Sequence, residues 1–576
     1  MRSVVGDHQT CGIRGRSIQT NIHVARSVLE CVAEGIGQVA MVQLDLAKAF
    51  DRVNHSFLFS VLEHINIGSQ LLKGVKICYA NGSTRLIMNG SLSDPIRLLS
   101  SVRQGCSLSP LLFCLYLEPL CMSILREENF QGFKLPSSEI RGLAYADDVA
   151  FFCTDKKSVK AALAITEEFC AASGASINFE KSSGFWFGLW ATMPSHYAGI
   201  QWKKDLCYLG VPLSQYRNSN SHWSGEVGKI QSKVNSWRGQ NLSMFSRAEV
   251  CNVFLVSRLM YVLQVLHCSR LRIQALHRAF ATFIWSSSCE SMRRDNLFVP
   301  LERGGLGLVH LFVRQIVSRL FFFRDSDHPF LREMLQLRLA HYLPDIVVSS
   351  DAKDVTQAPW GFLKEVVDSF LFLKVRFSLE YIFTASRKEI SASLVYSIFP
   401  DPLYCAPYLN QPYQDVLRRV RKMCIPPGAK TFFFKLHTET LPVKTWLNAR
   451  GCFVPWSTNC RLCPRAETID HCFIDCTDAI FFWDILQRTL KKDIDITPYA
   501  IRFLPFKISG GPPYDMFVVL GLYSLWRARM CDRHAESPRS TRSFFQESAA
   551  YIRSVYAVQE PPHDWMHLLD ACVCLP

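Results

Sequence analysis

The chain has no stretch of about 18 uninterrupted apolar residues, the length a membrane-spanning helix needs. Residues 516–526 are too short, and Arg258 interrupts the apolar run 253–266. A secretory leader is also missing: residues 1–16 have no apolar centre and carry Arg2, Asp7, His8, Arg14 and Arg16. A soluble, intracellular protein with no membrane partner is therefore expected. Cysteine is thinly spread, 22 in 576 residues, too dilute for a disulfide scaffold, so a reducing compartment is expected. There is no long acidic or histidine-rich tract to supply a nuclease centre. Acidic residues are outnumbered, 50 against 64 Lys and Arg, which leaves a net charge of +14 and a pI of about 8.9. That balance favours polyanionic partners. With 49% hydrophobic residues and a mean hydropathy of +0.08, packed cores are expected, in about three to four domains by the usual size relation.

What is present begins with carboxylates at strand ends. Residues 40–44 are mostly apolar and run into Asp45; residues 142–145 lead into Asp147 and Asp148, and 149–152 lead away. Strand, two-carboxylate turn, strand reads as a hairpin with its acids at the tip. Side by side, two such strands would bring Asp45 and Asp147 close enough to share divalent cations. Crowded carboxylates repel one another, and hard oxygen-ligated ions such as Mg²⁺ relieve that repulsion while binding phosphates. Two such ions clamp the attacking and leaving oxygens of an in-line phosphoryl displacement, so nucleotidyl transfer is the chemistry suggested. An isolated Asp-Asp turn is more often merely solvated; the second strand-end acid shifts that balance. Between the acid sites, Pro110 after Ser109 opens a helix over 111–125, with Ser109 as N-cap and Pro119 as a kink. Before it, Gly105 lets a backbone approach closely and Gln104 supplies an amide for a base pair or sugar.

In this order, LDLAKAFDRV, SVRQGCSLSP, LAYADDVAFF, INFEKS and YLGVPL resemble the palm of reverse transcriptases, and most closely those of non-long-terminal-repeat (LINE-class) retrotransposons. The resemblance covers residues 7 to about 213. It implies that Asp45, Asp147 and Asp148 ligate two Mg²⁺ ions, and that Arg103, Gln104 and Gly105 position template and incoming nucleotide. It places Tyr145 at the substrate and Lys181 near the triphosphate, where it would protonate the leaving group. Phe50, five positions beyond Asp45, corresponds to the bulky aromatic that packs under the sugar and excludes a 2′-hydroxyl. The competing reading makes Phe50 a core aromatic on a helix starting near Lys48, with Val53, Leu58, Val61, Leu62 and Ile65 at helical spacing. Two departures from the family pattern stand out. Ser107 occupies a position usually held by Pro. The chain begins inside the finger region, without the family's upstream basic elements or an endonuclease, as expected of the carboxy-terminal part of a longer element-encoded polyprotein.

Beyond residue 213 the character changes. Residues 215–224 are polar and turn-rich, an expected palm–thumb junction. Residues 225–300 become helical, through 250–266 and 276–285, and hold ten Lys and Arg against four Asp and Glu. A basic helical region after a palm suggests a thumb tracking the template–primer backbone. Residues 301–308, LERGGLGL, resemble a segment that follows the thumb in the family, and the run to about 399 reads as scaffold. Residues 418–422 (RRVRK) form a basic cluster that reads as a nuclear-import or nucleic-acid patch, or as a solvated helix face. The second chemical signal is Cys460, Cys463, His471 and Cys476, spaced C-x2-C-x7-H-x4-C. Such a set closes a tetrahedral Zn²⁺ site of Cys₃His type, with Cys452 and Cys472 as competing ligands. Its spacing, the flanking residues 430–455, and Phe482 with Trp483 resemble the carboxy-terminal zinc module of LINE-class proteins, with nucleic-acid binding as the purpose.

The expected fold is α+β: a right-hand polymerase palm, an antiparallel sheet with flanking helices, then a helical thumb and a helical carboxy-terminal region with a small zinc module. The expected divisions are 1–213 (partial fingers and palm), 214–300 (thumb), 301–429 (scaffold), 430–490 (zinc module) and 491–576 (helical tail). The expected function is RNA-directed DNA synthesis with two Mg²⁺ ions and one structural Zn²⁺. Its partners would be an RNA template, a DNA primer and deoxynucleoside triphosphates, in nucleus and cytoplasm. Two alternatives stand beside it: a non-catalytic nucleic-acid-binding remnant, and, with less support, an intron-type maturase. Nothing in the sequence fixes an oligomeric state.

Overall fold

The computed structural model describes residues 4–575 except 36, 81, 191, 214–219, 349–357, 409–410, 413, 455–456, 508–510, 535–538 and 559–562. Half of the expected junction at 215–224 thus lies outside the described residues. The chain divides into two compact units that interleave along the sequence. The first takes Met1–Trp223, Tyr261–Cys268 and Ile316–Phe383; the second takes Ser224–Met260, Ser269–Gln315 and Thr384–Pro576.

The first unit is built on a six-stranded sheet. In spatial order its strands are His196–Tyr197, Ile200–Lys203, Ser183–Phe187, Val39–Leu44, Asp148–Cys153 and Gly142–Tyr145. The central strands are almost continuously buried, as runs such as VAMVQL and DVAFFC require when both faces of a sheet are covered. All pairings are antiparallel except one, between Ser183–Phe187 and Ile200–Lys203. The wholly antiparallel sheet expected from the sequence is corrected to that extent. The hairpin His196–Tyr197 with Ile200–Lys203 reverses the chain, so that its second arm runs alongside its neighbour instead of against it.

Helices cover the sheet. Ser109–Arg126 begins with Pro110 in its first turn and contains Pro119. Leu108, not Ser109, is its N-cap; Ser109 is the first helical residue and is buried. Among the described residues this helix is long and apolar enough by composition to cross a membrane, but it is mostly buried in the protein. Leu112, Phe113, Tyr116, Leu117 and Leu120 share one core with Val42 and Leu44 of the sheet. The expected helix from Lys48 starts later, at His55. Lys48 takes a positive φ of 49°, which breaks helical continuity, and Asn54 caps the later start by accepting from the Phe57 amide at 3.0 Å.

The helix Ile18–Ala33 is buried along most of its length, and part of its cover comes from far along the chain. His23 lies 4.2 Å from the Phe322 ring and 5.3 Å from that of Phe362, and the Arg26 guanidinium sits 3.5 Å over Phe362. Nearby, fully buried Arg319 donates to the carbonyls of Leu263, Gln264 and Leu266 at 2.9, 2.9 and 2.7 Å, and pairs with Glu365 at 2.7 Å.

The second unit is helical. Met244–Val250, a π-type turn Cys251–Val256 and Ser257–Leu263 follow one another without interruption, matching the helical run read over 250–266. Pro427–His437 packs on Met244–Val250, with Phe434 and Phe245 5.7 Å apart. The LERGGLGL segment is a tight packing turn. Gly304 has a φ of 89°, and a Cβ on Gly305 would lie 2.0 Å from the Val299 carbonyl oxygen. The basic cluster falls on the helix Val416–Lys422, with Arg418, Arg421 and Lys422 exposed and the Arg419 side chain turned inward. Arg419 is buried between Asp415 and Asp515, Arg418 pairs with Glu302 at 2.8 Å, and Arg421 with Glu249 at 3.4 Å.

Candidate functional site

The acid hairpin folds as its sequence reads. Gly142–Tyr145 and Asp148–Cys153 pair antiparallel with Tyr145 opposite Asp148, leaving Ala146 and Asp147 as a two-residue turn. On its other side, Asp148–Cys153 pairs with Val39–Leu44, with Leu44 opposite Val149 and Gln43 opposite Ala150. One step further along this register brings Asp45 and Asp148 to the same end of adjacent strands, with Asp147 in the turn beside them. Asp45 is half-buried and its backbone is fixed on both sides. Its amide donates to Ser182 Oγ at 3.1 Å and its carbonyl accepts from the Asn178 amide at 2.8 Å. Partial desolvation pushes the Asp148 carboxyl above its usual range, and the neighbouring Asp147 and Asp45 charges push it further.

The turn carries strain. Ala146 has a φ of 53°, at the hairpin position where glycine is favoured, a conformation that costs of order 1 kcal/mol or more for other residues. Gln9 holds it there. Its Oε1 accepts from the Ala146 amide at 3.2 Å and from the Cys11 amide at 3.0 Å, and the residue is 1% exposed. Residues 8–10 also run beside the hairpin: the Ala144 amide donates to the His8 carbonyl at 2.7 Å, and the Thr10 amide to the Ala144 carbonyl at 3.1 Å. Asn21 Nδ2 donates to the same Ala144 oxygen at 2.9 Å. Gln9, Asn21, Asn178 and Ser182 escape the sequence reading because each acts through backbone groups. The one signal was that Gln9 lies just ahead of the first helix, and Asn178 and Ser182 inside INFEKS.

The remaining residues lie in the segments that follow Asp45, precede the helix Ser109–Arg126 and precede the strand Ser183–Phe187. Phe50 is half-buried and stacks on Phe113, centroids 4.7 Å apart at 12°; its carbonyl accepts from the Val102 amide at 2.9 Å, which ties it to the loop before Arg103. Arg103 donates to the Cys78 carbonyl at 3.2 Å, and Gln104 Nε2 to Asp51 Oδ1 at 3.5 Å. Gly105 has a φ of 82°, so its glycine is required by backbone conformation. Lys181 is exposed in the turn before Ser183–Phe187, its amide 3.3 Å from Asn178 Oδ1.

Among the described residues, the set of Cys, His, Asp and Glu side chains whose ligand atoms all lie within 4.8 Å of one another is Cys460, Cys463, His471 and Cys476. The three strand-end carboxylates gather without meeting that spacing. The cysteine set starts in a loop closed by the bridge between Asn459 and Ala466, with the Cys460 amide donating to the Arg465 carbonyl at 2.8 Å. The Cys476 sulfur lies 4.0 Å from that of Cys460 and 3.8 Å from that of Cys463. Tetrahedral ligation at about 2.3 Å separates sulfurs by about 3.8 Å, so the donors fit Zn²⁺. Both His471 ring nitrogens are buried without a hydrogen-bond partner, as a ligand nitrogen and its unpaired neighbour would be. Burial raises the Cys460 thiol, but hydrogen bonds led by that from Arg529, with the Arg529 charge, together outweigh it and bring the thiol down to about 7, which favours the thiolate a metal needs. Neither competing cysteine joins the set. Cys452 is exposed, and burial pushes the Cys472 thiol up to about 12.

Comparison with known proteins converges on these two sites. Residues 3–213 match the family model described as "Reverse transcriptase (RNA-dependent DNA polymerase)", and residues 408–483 match "zinc-binding in reverse transcriptase". The transposon TX1 uncharacterized 149 kDa protein of Xenopus laevis is 30% identical over 334 residues, 56% of this chain and 26% of that protein. A retrovirus-related Pol polyprotein from the type-1 retrotransposable element R2 of Nasonia vitripennis is 23% identical, over 53% of this chain and 31% of its own length. Its counterpart in Popillia japonica is 28% identical over 24% and 23%. The chain thus spans about a quarter to a third of the length of these relatives. Telomerase from Candida tropicalis, solved with a TWJ fragment of telomeric RNA, aligns over 63% of this chain and 53% of that one, at 13% identity and a TM-score of 0.31, too loose a likeness to bear on the fold. The strand-end acids lie inside the reverse transcriptase match and the Cys₃His set inside the zinc-binding match, so the chain carries both domains, and the relatives it resembles are proteins of non-long-terminal-repeat retrotransposons.

Proposed function

We propose that this chain copies RNA into DNA at the sheet end formed by Asp45, Asp147 and Asp148. The observation that carries the reading is the register, which sets Asp45 and Asp148 on neighbouring strand ends with Asp147 next to Asp148 in the hairpin turn. Carboxylates gathered at one end of the sheet suit divalent cations such as Mg²⁺. When bound, two such ions would neutralise the triphosphate and lower the barrier to attack by a primer 3′-hydroxyl.

The chain's own residues would supply position and selection. Phe50, locked against Phe113, would press on the sugar and leave no room for a 2′-hydroxyl. The loop at Arg103, Gln104 and Gly105 would hold the template base and incoming nucleotide, with Tyr145 beside the sugar. Lys181 is exposed and able to swing toward a pyrophosphate leaving group and hand it a proton. The palm would comprise 1–213 and the thumb 214–300. In the latter, Lys229, Arg258, Arg293 and Arg294 are committed to ion pairs, so Lys233, Arg238, Arg272 and Arg278 are better placed to meet phosphates. The scaffold (301–429) and tail (491–576) would support the zinc module (430–490), which would hold Zn²⁺ and bind nucleic acid. Primer extension on an RNA template, with purified protein and its Asp147→Ala variant side by side, tests the reading. Extension by the unmodified chain and none by the variant is expected; equal extension would refute it.

A further inference from the structure

The cluster Cys460, Cys463, His471 and Cys476 is not isolated from the rest of its unit. The long helix Tyr514–His534 lies well beyond the stretch matched by the zinc-binding family model, yet it presents its last turns to the cluster. Arg529 is buried, 8% exposed, and donates through Nη1 to the Cys460 sulfur at 3.3 Å and through Nη2 to the Cys472 carbonyl at 3.4 Å. It also lies 3.9 Å from Glu467. Glu467 is itself 2% exposed; it pairs with Arg533 and accepts from the Lys444 amide at 3.1 Å. Arg533 donates to the Pro442 carbonyl at 3.2 Å. From the cluster side, Arg461 reaches back to the Asp532 carbonyl near the end of the same helix.

Charge explains why an arginine belongs there. Three thiolates and a neutral imidazole around a divalent ion leave one net negative charge, and metal ligands bind in those protonation states. An uncompensated charge in a buried site is costly. A guanidinium stays protonated when buried, and its fork serves a sulfur and a carbonyl at once. We infer that Arg529 is a positioning residue of the zinc site: it neutralises the loaded cluster through Cys460, and with Arg533 and Glu467 it makes zinc occupancy and docking of the helix Tyr514–His534 a single event. This rests on the zinc reading above. The metal module then extends to about residue 534, and removing zinc should loosen a helix that contributes no ligand.

Zinc affinity of the full chain, measured by competition with a chromogenic chelator, tests the inference. Arg529→Met should raise the zinc Kd by about 10–100-fold, the usual effect of losing a partner of a metal ligand. Arg529→Lys, which keeps the charge and loses the fork, should fall between. Replacing zinc with Co²⁺ reads the site directly, and the absorption of a tetrahedral three-sulfur site should shift or weaken in Arg529→Met. An arm that needs no substitution guards against a variant that fails to fold. Stripping the unmodified chain with EDTA should raise amide hydrogen exchange in 514–534 together with 458–476. Exchange confined to 458–476, or an Arg529→Met chain that holds zinc within about threefold of the original, would overturn this inference alone. An unmodified chain that takes up no zinc would overturn the metal reading beneath it as well.

Discussion

Gln9 offers the sharpest test of how the acid turn is held. In Gln9→Ala the amides of Ala146 and Cys11 both lose their acceptor. Gln9 is 1% exposed, so water is poorly placed to replace it. A buried donor left unsatisfied costs about 1–3 kcal/mol, and the positive φ of Ala146 stores about 1 kcal/mol more that the lost hydrogen bond had restrained. Together, and allowing for partial relaxation, about 2–4 kcal/mol would favour a reshaped turn. A shift of Asp147 by about 1 Å is enough to lower a reaction about 10²-fold. Single-nucleotide extension under saturating primer–template should therefore fall about 100-fold, while the Kd for primer–template stays within about threefold. Gln9→Glu separates geometry from charge. It keeps an acceptor for both amides and removes the buried, unpartnered Nε2, but buries a carboxylate near three others, at a cost in stability; it should hold the turn and still lose most synthesis. A well-folded Gln9→Ala chain extending within twofold of the original would show that the turn is held by the sheet alone.

Asp45→Ala or Asp147→Ala should abolish extension, since electrostatic stabilisation dominates this chemistry, with nucleic-acid affinity by filter binding little changed; residual extension above a few per cent would be evidence against a direct role. Phe50→Val should relax ribonucleotide exclusion by about tenfold or more in paired rNTP and dNTP assays. It should cost about 1–2 kcal/mol of stability, because the ring is half-buried and loses its stack on Phe113; unchanged discrimination in an active variant would leave Phe50 only a core role. Cys463→Ser should reduce zinc, measured by atomic absorption, well below one per chain and raise hydrogen exchange around 450–490, with the sheet of the first unit unaffected. In the second unit, burial pushes the His277 and His437 imidazoles down to about 2 and about 4. Both are neutral when folded, so their contribution is complete above the unfolded value of 6.5 and is lost as pH falls below it. At pH 5 each should cost about 2 kcal/mol, which thermal unfolding at pH 7.5 and pH 5 would reveal, and His437→Asn should flatten the dependence.

The residues that carry chemistry were legible because the sequence pattern and the fold agree locally. An apolar run ending in Asp, a two-acid turn and a C-x2-C loop each declare their own geometry, and the hairpin, the neighbouring strand and the Cys₃His set formed where those patterns lie. What stayed hidden depends on partners distant in sequence. The Gln9 amide is an ordinary side chain until the hairpin of residues 142–153 comes beside it. Arg529 sits just past the apolar run 516–526, in a stretch that reads only as helical tail. The start of the helix after Phe50 was misplaced because apolar spacing continues through Val53, while the positive φ at Lys48 and the Asn54 cap set the boundary. RRVRK reads as a free basic patch because its acidic partners, Glu302, Glu249 and Asp515, are scattered over the chain.

The interleaving of the two units has a consequence for synthesis on the ribosome. After the helix Ile18–Ala33 emerges, some 300 further residues must follow before Phe322 and Phe362, which cover His23 and Arg26, leave the exit tunnel. Until then Arg26 has Glu30 on its own helix but lacks this aromatic cover, and at about 5–20 residues per second that interval lasts from about 15 seconds to a minute. The first unit should therefore remain more protease-sensitive in nascent chains stalled before residue 360 and gain protection once the helix Gly361–Lys374 is released.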